Sequence, residues 1–456
     1  MTTAAPALQT VPAPSQAADR LLAIDVTRGF ALLGIFFVNI QSFAEPFGRF
    51  VSPIPESDDP LTRFWFYFVH IFCMGKFYPL FSMLFGMGLA LQMHSVFKRG
   101  GQATTFYALY LRRLVWLFLM GLSHALLLWY GDILFIYSIA GTALLLCARI
   151  PPKIQLAIGV GLVLFASVFF GAISALGGWA AQQKPEAPAQ VESAATPDTE
   201  QPSDSTASAT PQRTPIQQVI DGFFPGGPET PDAIEGEIRA MRDGPWLQSF
   251  FVRGFIWLNY LVFCLLGFGW HVLGMFFIGA GMLRSGIFEP SASRVQWVLF
   301  SAGLLIGVPG AVVQTFLPAW GGVNAATMGA SAFLGMFCGP LVSLFYLMSF
   351  TLIVRGNLLK PATFVLSNVG RMALTNYLTH TLVSTFVFYH WGLAQFGEWT
   401  RAEQCAFVLT VFACQCVFSV LWMRTFRFGP AEWLWRSVTY LRPQPMLRTA
   451  GPSPAV

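Results

Sequence analysis

The sequence has few charged residues. Only 11% of its 456 residues are Asp, Glu, Lys or Arg, whereas about a quarter of an average soluble chain is charged. Hydrophobic residues make up 55% of the chain, so the composition excludes an ordinary soluble domain and predicts a polytopic membrane protein. The net charge of +5 does not indicate nucleic-acid binding, because the basic residues lie singly or in pairs at the ends of apolar segments.

The chain also lacks the motifs of several enzyme classes. It contains no GxSxG, Walker A, HExxH or GxGxxG pattern, and its seven cysteines lie in apolar segments without metal-type spacing. We therefore expect no disulfide framework, no metal site and no permanently bound cofactor. The N-terminus has no basic stretch before an apolar core, which excludes a cleavable signal peptide and predicts a disordered tail over residues 1–20.

Long apolar runs predict an all-α protein with about ten transmembrane helices. The predicted spans are 24–43, 77–94, 111–129, 133–147, 154–179, 266–283, 295–316, 328–354, 372–391 and 406–423. They form two helical halves, residues 21–180 and 247–440, and a disordered tail follows over residues 441–456. Lys and Arg concentrate in alternate loops, which predicts that both termini lie on the cytoplasmic side of the inner membrane.

An acidic stretch separates the two halves. Residues 181–246 hold eleven acidic and four basic residues, for a net charge of −7, and the first half of the stretch is rich in Pro, Ala, Ser and Thr. Such a composition cannot bury enough apolar surface to fold. We expect a low-complexity extracytoplasmic insert with one or two short amphipathic helices in its second half.

The third predicted span carries the strongest candidate site. Arg113 and His124 are eleven residues apart, so they share one helix face and lie about 16 Å apart along the axis. Keeping an imidazole inside a bilayer is costly, and a neutral imidazole is suited to general base catalysis. Asp132 follows eight residues later and would fix the tautomer of His124 if folding brought the two together. The alternative is a histidine that donates to a backbone carbonyl of a neighbouring helix.

Two other spans carry polar faces. In the first span, Arg28 and Asn39 repeat the eleven-residue spacing, and Arg28 serves either as an anion-binding group or as a helix-end partner of Asp25. In the ninth span, Asn376 and His380 lie four residues apart on one face. That face either lines a cavity or joins helices by hydrogen bonds.

Several blocks of the sequence resemble the YeiB/DUF418 membrane proteins. In chain order they are LLAIDVTRGFALLGIFFVNI, GKFYPLFSMLFGMGLAL, RRLVWLFLMGLSHALLLWYGDILFIYSIAG, GRMALTNYLTHTL and GPAEWLWRSVTY. The resemblance implies a distant relationship to transmembrane acyltransferases, such as heparan-alpha-glucosaminide N-acetyltransferase and the acyltransferase-3 group. The resemblance therefore implies a core of ten helices. It also implies the transfer of an acyl group from cytoplasmic acyl-CoA to a sugar across the membrane.

The resemblance to these acyltransferases does not extend to the catalytic histidine. The acyltransferase-3 group has an Arg-x10-His signature in its first helix, where this chain has Arg28 and Asn39. An asparagine cannot act as a general base. We therefore expect the base to lie in the third span at His124, with His380 as the second candidate.

The resemblance predicts a transmembrane acyltransferase that uses acyl-CoA as its donor. The predicted donor-binding residues are Arg28, Asn39, Arg112, Arg113, Arg371 and Asn376. The arginines would neutralise the phosphates of CoA, and the asparagines would orient the acyl carbonyl. The acceptor would be a hydroxyl or amine of a cell-envelope glycan or small metabolite, and the lipid bilayer is the other expected partner.

Two alternatives stay open. One is an exporter of a small polar or amphiphilic solute, which an internal repeat would support. Its sequence signal is the similarity between MLFGMGLALQM around the second span and MFFIGAGMLRSG around the sixth. The other alternative is an envelope scaffold in which the acidic insert binds a partner.

Overall fold

The computed structural model describes residues 14–51, 58–98, 102–183 and 213–448, and these residues fold almost entirely into helices. Within those ranges the α-helices are α1 (Pro14–Ala44), α2 (Phe47–Val51), α3 (Pro60–Phe72), α4 (Phe77–Lys98), α5 (Ala103–Leu127), α6 (Leu134–Leu146), α7 (Pro152–Gln182), α8 (Pro215–Asp221), α9 (Pro231–Ile238), α10 (Trp246–Phe263), α11 (Gly269–Arg284), α12 (Ser293–Ala302), α13 (Val308–Gly321), α14 (Ala325–Arg355), α15 (Lys360–Arg371), α16 (Ala373–Phe388), α17 (Arg401–Thr425) and α18 (Pro430–Tyr440). Short 3₁₀ or π-helical turns adjoin several of them, at Gly222–Gly226, Arg239–Asp243, Cys264–Phe268, Pro290–Ala292 and Gly303–Gly307.

Eight segments of the described residues are long and apolar enough to cross a membrane. They are Leu22–Ala44, Pro60–Val96, Thr104–Leu127, Pro152–Ala180, Trp246–Arg284, Pro290–Gly321, Ala325–Arg355 and Arg401–Thr425. Large apolar side chains such as Val168, Leu305 and Val417 are exposed on these helices, as a lipid-facing surface requires. The protein is an all-α polytopic membrane protein, as the composition predicts.

Two of the predicted spans correspond to shorter helices. The fourth is α6, with 13 residues, and the ninth is α16, with 16 residues. At 1.5 Å per residue they measure about 20 and 24 Å, less than the hydrocarbon thickness of about 30 Å. More than half of the residues of each helix are buried. Both helices therefore line the interior of the bundle.

The helix α1 lies at the centre of the bundle and packs against α4, α14, α15, α16 and α17. The backbones of α1 and α15 approach each other closely at two glycines. A Cβ atom added at Gly29 would lie 2.0 Å from the carbonyl oxygen of Leu366, and one at Gly370 would lie 1.9 Å from that of Asp25. A larger residue at either glycine would push the two helices apart. This close approach places the charged start of α1 next to Arg371, the last residue of α15.

The two similar segments around the second and sixth predicted spans pack against each other, as α4 and α11. Their contact is reciprocal. A Cβ atom at Gly86 would lie 2.1 Å from the Phe276 carbonyl oxygen, and one at Gly279 would lie 2.1 Å from that of Met83. Small residues in the two segments thus let the helices approach closely.

Basic loops meet at one end of the bundle, which we call the arginine end. Arg284, at the end of α11, donates to the carbonyl oxygens of Ala148 and Ile150 at 3.0 and 2.7 Å. Arg355, at the end of α14, donates to the Gln296 side chain of α12 at 3.3 Å. Three of the loops that are rich in Lys and Arg therefore lie at the same end, which is the arrangement that the alternation of charge predicts.

Residues from distant parts of the chain close the opposite end. Glu45, just after α1, accepts a hydrogen bond from Arg401 of α17 at 3.1 Å. The sequence predicts one or two short helices in the second half of the acidic insert, and two are present, as α8 and α9. Glu237 of α9 accepts the backbone N–H of Phe47 at 2.8 Å, and burial raises the pKa of this carboxyl to about 8. Residues 184–212 of the insert lie outside the described residues.

The two predicted tails are partly structured. The helix α1 begins at Pro14, within the tail predicted over residues 1–20, and residues 1–13 lie outside the described residues. At the C-terminal end, Leu447 forms an antiparallel bridge with Phe426, so the start of the tail predicted over 441–456 pairs with the chain after α17. Residues 449–456 lie outside the described residues.

Candidate active site

His124 and Asp132 are brought together by a turn. The helix α5 ends at Leu127, three residues after His124, and the chain turns back before α6 begins. Asp132 Oδ2 then lies 2.8 Å from His124 Nδ1. The other carboxylate oxygen accepts the backbone N–H of Phe135 at 2.8 Å, in the first turn of α6. One carboxylate therefore holds the imidazole and also stabilises the start of the next helix.

The other ring nitrogen of His124 faces α16. His124 Nε2 lies 2.9 Å from Thr381 Oγ1, and the exposed fractions of Asp132, His124 and Thr381 are 1%, 4% and 0%. Placing the ring proton on Nδ1, next to the carboxylate, leaves Nε2 to accept from the threonine hydroxyl. The three side chains form an Asp–His–Thr chain with the same order of contacts as the Asp–His–Ser triad of hydrolases.

Tyr377 lies between this triad and an interior cavity. Its ring centroid is 5.5 Å from that of His124, and it precedes Thr381 by four residues, so both lie on one face of α16. The Tyr377 hydroxyl is buried and lies near Asp132. The same tyrosine lines the cavity.

The cavity has a volume of about 380 Å³, which falls in the range of small-molecule binding sites. Its charged lining consists of Asp25, Arg28, Arg113, Arg371, Glu432 and Arg436. The rest of the wall is mostly Leu, Ile, Phe and Tyr. A cationic mouth that leads to an apolar interior fits an amphiphilic anion.

Three of the four arginines have no carboxylate partner. Asp25 pairs with Arg28 at 2.7 Å, on the same face of α1. Among the described residues, no Asp or Glu lies within salt-bridge distance of Arg113, Arg371 or Arg436. With four arginines and two carboxyl groups, the lining of the cavity carries an excess of positive charge.

The helix α18 forms one wall of this mouth. Glu432 accepts the backbone N–H groups of Leu374 and Thr375 at 2.6 and 3.1 Å, where it caps the N-terminus of α16. Burial raises the pKa of the Glu432 carboxyl. The Arg113 guanidinium lies 3.9 Å from the ring centroid of Trp435, a distance typical of a cation–π contact. These contacts fix α18 against the two helices that carry the triad.

Two of the predicted donor-binding residues do not line the cavity. Arg112 donates to the carbonyl oxygen of Thr439 at 3.1 Å and does not line the cavity. Asn39 of α1 does not line it either, and its carbonyl oxygen accepts from the Ser42 hydroxyl at 3.0 Å.

Asn376 and His380 belong to a separate hydrogen-bonded contact between α16 and α17. Asn376 Nδ2 donates to Ser419 Oγ at 3.1 Å, and His380 Nε2 lies 2.8 Å from Gln415 Oε1. The His380 ring also stacks on Phe36, with ring centroids 4.0 Å apart. Arg28, Arg113 and Arg371 are thus the predicted donor-binding residues that the structure brings together at the cavity. His124 and Asp132 lie beyond its inner end.

A second group of buried polar atoms lies near the end of α5. The atoms without a hydrogen-bond partner among the described residues include Gln41 Nε2, Glu237 Oε1, Arg253 Nε, Tyr389 Oη and His390 Nε2. Arg253 Nη2 lies 3.4 Å from the Leu127 carbonyl oxygen, one turn beyond His124, and the guanidinium lies 5.9 Å from the Tyr389 ring centroid. Glu237, Arg253, Tyr389 and His390 interact electrostatically with one another, and we call these four residues the polar cluster.

The fold and the site define a class. The protein is a multi-pass all-α membrane protein with an interior cavity, a cationic mouth and a buried Asp–His–Thr chain beyond the inner end of that cavity. Comparison with known proteins finds relatives that match nearly the whole chain. It is 31% identical over 446 residues to "Uncharacterized protein YxaH" of Bacillus subtilis (strain 168), which covers 95% of this chain and 98% of that protein.

Two further relatives and one family description agree with this match. "Uncharacterized protein YeiB" of Escherichia coli (strain K12) is 30% identical over 453 residues, covering 95% of this chain and 98% of that protein. "Uncharacterized 39.9 kDa protein in amylase 3'region" of Bacillus acidopullulyticus is 25% identical over 434 residues, covering 94% and 96%. Residues 282–442 match the family "Protein of unknown function (DUF418)". No solved structure matches significantly. The chain belongs to the YeiB/DUF418 family.

Proposed function

We propose that this protein is a transmembrane acyltransferase of the inner membrane. It takes an acyl group from cytoplasmic acyl-CoA and transfers it to a hydroxyl or amine acceptor on the extracytoplasmic side. The observation that carries the proposal is the buried His124–Asp132 pair behind Tyr377, at the inner end of a cavity with a cationic mouth.

The cavity is suited to the donor. Within the described ranges, Arg113, Arg371 and Arg436 form no salt bridge with a carboxylate, so they are available to bind the phosphates of CoA by charge-assisted hydrogen bonds. The apolar interior takes the acyl chain and brings the thioester to Tyr377. An excess of arginine also favours a cytoplasmic arginine end, by the positive-inside rule. Both termini would then be cytoplasmic, and the 181–246 insert extracytoplasmic.

The chemistry follows from the hydrogen bonds of His124. Asp132 holds Nδ1–H and stabilises the imidazolium, so Nε2 is the general base. The nitrogen removes a proton from the attacking hydroxyl or amine, the carbonyl–sulfur bond breaks, and the CoA thiolate takes the proton. The buried Tyr377 hydroxyl, between His124 and the cavity, would donate to the carbonyl oxygen as negative charge develops there. The polar cluster, on the other side of His124, is where the acceptor would approach.

The direct test is the release of free CoA from acyl-CoA by the purified protein in the presence of a cell-envelope extract. We expect release by the parent protein and its loss in His124→Gln. The matched control is His271→Gln, because His271 is also a buried histidine of the bundle, lies 3.0 Å from the Met336 carbonyl oxygen and does not line the cavity. Equal release by the parent and by His124→Gln would refute the proposal.

A second candidate function is the export of an amphiphilic anion. The reciprocal packing of α4 and α11 favours it, because transporters are often built from internal repeats. The test is flux of an amphiphilic anion, such as a long-chain acyl phosphate, in proteoliposomes without acyl-CoA. Flux that persists in His124→Gln would favour the exporter, and an absence of flux would favour the acyltransferase.

A further inference from the structure

We propose that Thr381 is the nucleophile of this reaction, and that its hydroxyl carries the acyl group as an ester between the donor and the acceptor. The inference rests on the proposed acyltransferase function and adds a covalent intermediate to it. Transfer would then take place in two half-reactions.

The hydrogen bond of Thr381 differs from those of its neighbours. Threonines in membrane helices commonly bond the backbone carbonyl four residues earlier. Two threonines of α16 do so: Thr379 donates to the Thr375 carbonyl at 2.8 Å, and Thr385 donates to the Thr381 carbonyl at 2.7 Å. Thr381 Oγ1 instead lies 2.9 Å from His124 Nε2, on a different helix. Its hydroxyl is thus directed at the one ring nitrogen that can accept a proton.

The rest of the triad is arranged to activate this hydroxyl. A hydroxyl is a weak nucleophile until an adjacent base removes its proton, and the base must be oriented by a third group. Asp132 performs that orienting role at 2.8 Å from the opposite nitrogen of His124. Complete burial of Thr381 keeps water from the intermediate, which protects an ester from hydrolysis.

The first half-reaction starts when a rotation of Tyr377 admits the thioester from the cavity. Thr381 Oγ1 attacks the carbonyl carbon and His124 Nε2 takes the hydroxyl proton. A carbon–oxygen bond forms, the carbon–sulfur bond breaks, and the imidazolium returns the proton to the CoA thiolate. In the second half-reaction, the acceptor hydroxyl or amine attacks the ester and gives its proton to His124. The proton then passes to Thr381 Oγ1 as the ester bond breaks.

The position of the triad between the donor cavity and the polar cluster also favours a covalent intermediate. The cavity reaches Tyr377 from the side that carries Arg28, Arg113 and Arg371, whereas the polar cluster contacts Leu127, beyond His124 on α5. An acyl ester on Thr381 lets CoA leave before the acceptor arrives, so the two substrates need not occupy the buried space together. This order of events predicts ping-pong kinetics.

The experiment uses the full-length protein in detergent, with [³H]CoA and unlabelled acetyl-CoA but no acceptor. Exchange of label into acetyl-CoA requires an acyl-enzyme, and mass spectrometry after an acid quench locates the acyl group. We expect exchange and an acetyl group on the α16 peptide. In Thr381→Val, exchange should fall by about 10³-fold or more, as for removal of a triad nucleophile. Thr381→Ser keeps the hydroxyl and should retain both signals.

The control variant is Thr385→Val, which removes another fully buried hydroxyl of the same helix and should leave exchange within about threefold of the parent. Acceptor-dependent CoA release without exchange or label would overturn the Thr381 inference and leave the acyltransferase proposal standing. The absence of exchange, label and CoA release would overturn both. Exchange that survives in Thr381→Val with the label on another residue would also overturn the assignment of Thr381.

Discussion

Replacing Asp132 by Asn tests the central pair of the site with little change in shape. Asparagine has the size of aspartate, and its carbonyl oxygen can still accept the Phe135 N–H that starts α6. What is lost is the negative charge 2.8 Å from His124 Nδ1. At an effective dielectric constant of about 20, a unit charge at that distance stabilises the imidazolium by about 6 kcal/mol.

That energy sets the expected loss of rate. About 6 kcal/mol corresponds to about 10⁴-fold in rate, and general base catalysis typically contributes 10²–10⁴-fold, so we expect kcat to fall by about 10²–10⁴-fold. The KM for acyl-CoA should change little, because Asp132 does not line the cavity. The assay is CoA release at several acyl-CoA concentrations, with thermal unfolding to confirm the fold.

The matched control is Asp232→Asn, which removes a carboxylate from an exposed pair with Arg213 and should leave kcat unchanged. A kcat for Asp132→Asn within about threefold of the parent, in a protein that unfolds at the parent temperature, would refute the reasoning. A raised KM with an unchanged kcat would show that Asp132 acts in binding and not in the chemical step.

Three further predictions concern binding, packing and pH. Arg113→Gln should raise the KM for acyl-CoA about tenfold and weaken its salt dependence, because a charge-assisted hydrogen bond contributes about 1.5 kcal/mol or more; steady-state kinetics at two ionic strengths measure this. Gly370→Val should lower the free energy of unfolding by about 1–3 kcal/mol, because the new side chain meets the Asp25 carbonyl of α1, and a fall in melting temperature reports it. Burial raises the pKa of Glu237 from 4.5 to about 8. Between these pH values the folded protein keeps a proton on Glu237 that the unfolded chain has lost. The free energy of unfolding therefore falls by about 1.4 kcal/mol per pH unit as the pH rises across that range. Glu237→Gln should remove this pH dependence in denaturant titrations, and an unchanged dependence would contradict the assignment.

Much of the fold can be predicted from local patterns in the sequence. Apolar runs locate the spans, and the fixed rotation of a helix places Arg113 and His124 on one face. The alternation of Lys and Arg groups the basic loops, and the contacts of Arg284 and Arg355 agree with that grouping. These features depend on residues close in sequence, so a single chain is enough to predict them.

The site depends on contacts that spacing along the chain does not encode. The partner of His124 on α16 is 257 residues away, and threonine alone is too common in membrane helices to mark a nucleophile. Asp132 reaches His124 only because α5 ends at Leu127 and the chain turns back. Asn376 and His380 have the spacing of a cavity-lining face, but they bond to α17 because that helix presents Gln415 and Ser419 to them.

The measurement that tests the proposed function most directly is photo-crosslinking with an acyl-CoA that carries a diazirine at the end of its acyl chain. We expect the label to map to peptides containing Leu117, Ile133 or Tyr377, at the apolar part of the cavity. Excess acetyl-CoA should compete for the label, and Arg113→Gln should reduce it. Label that falls only on lipid-facing residues such as Val168, and that acetyl-CoA does not displace, would contradict the proposal that this cavity binds the acyl donor.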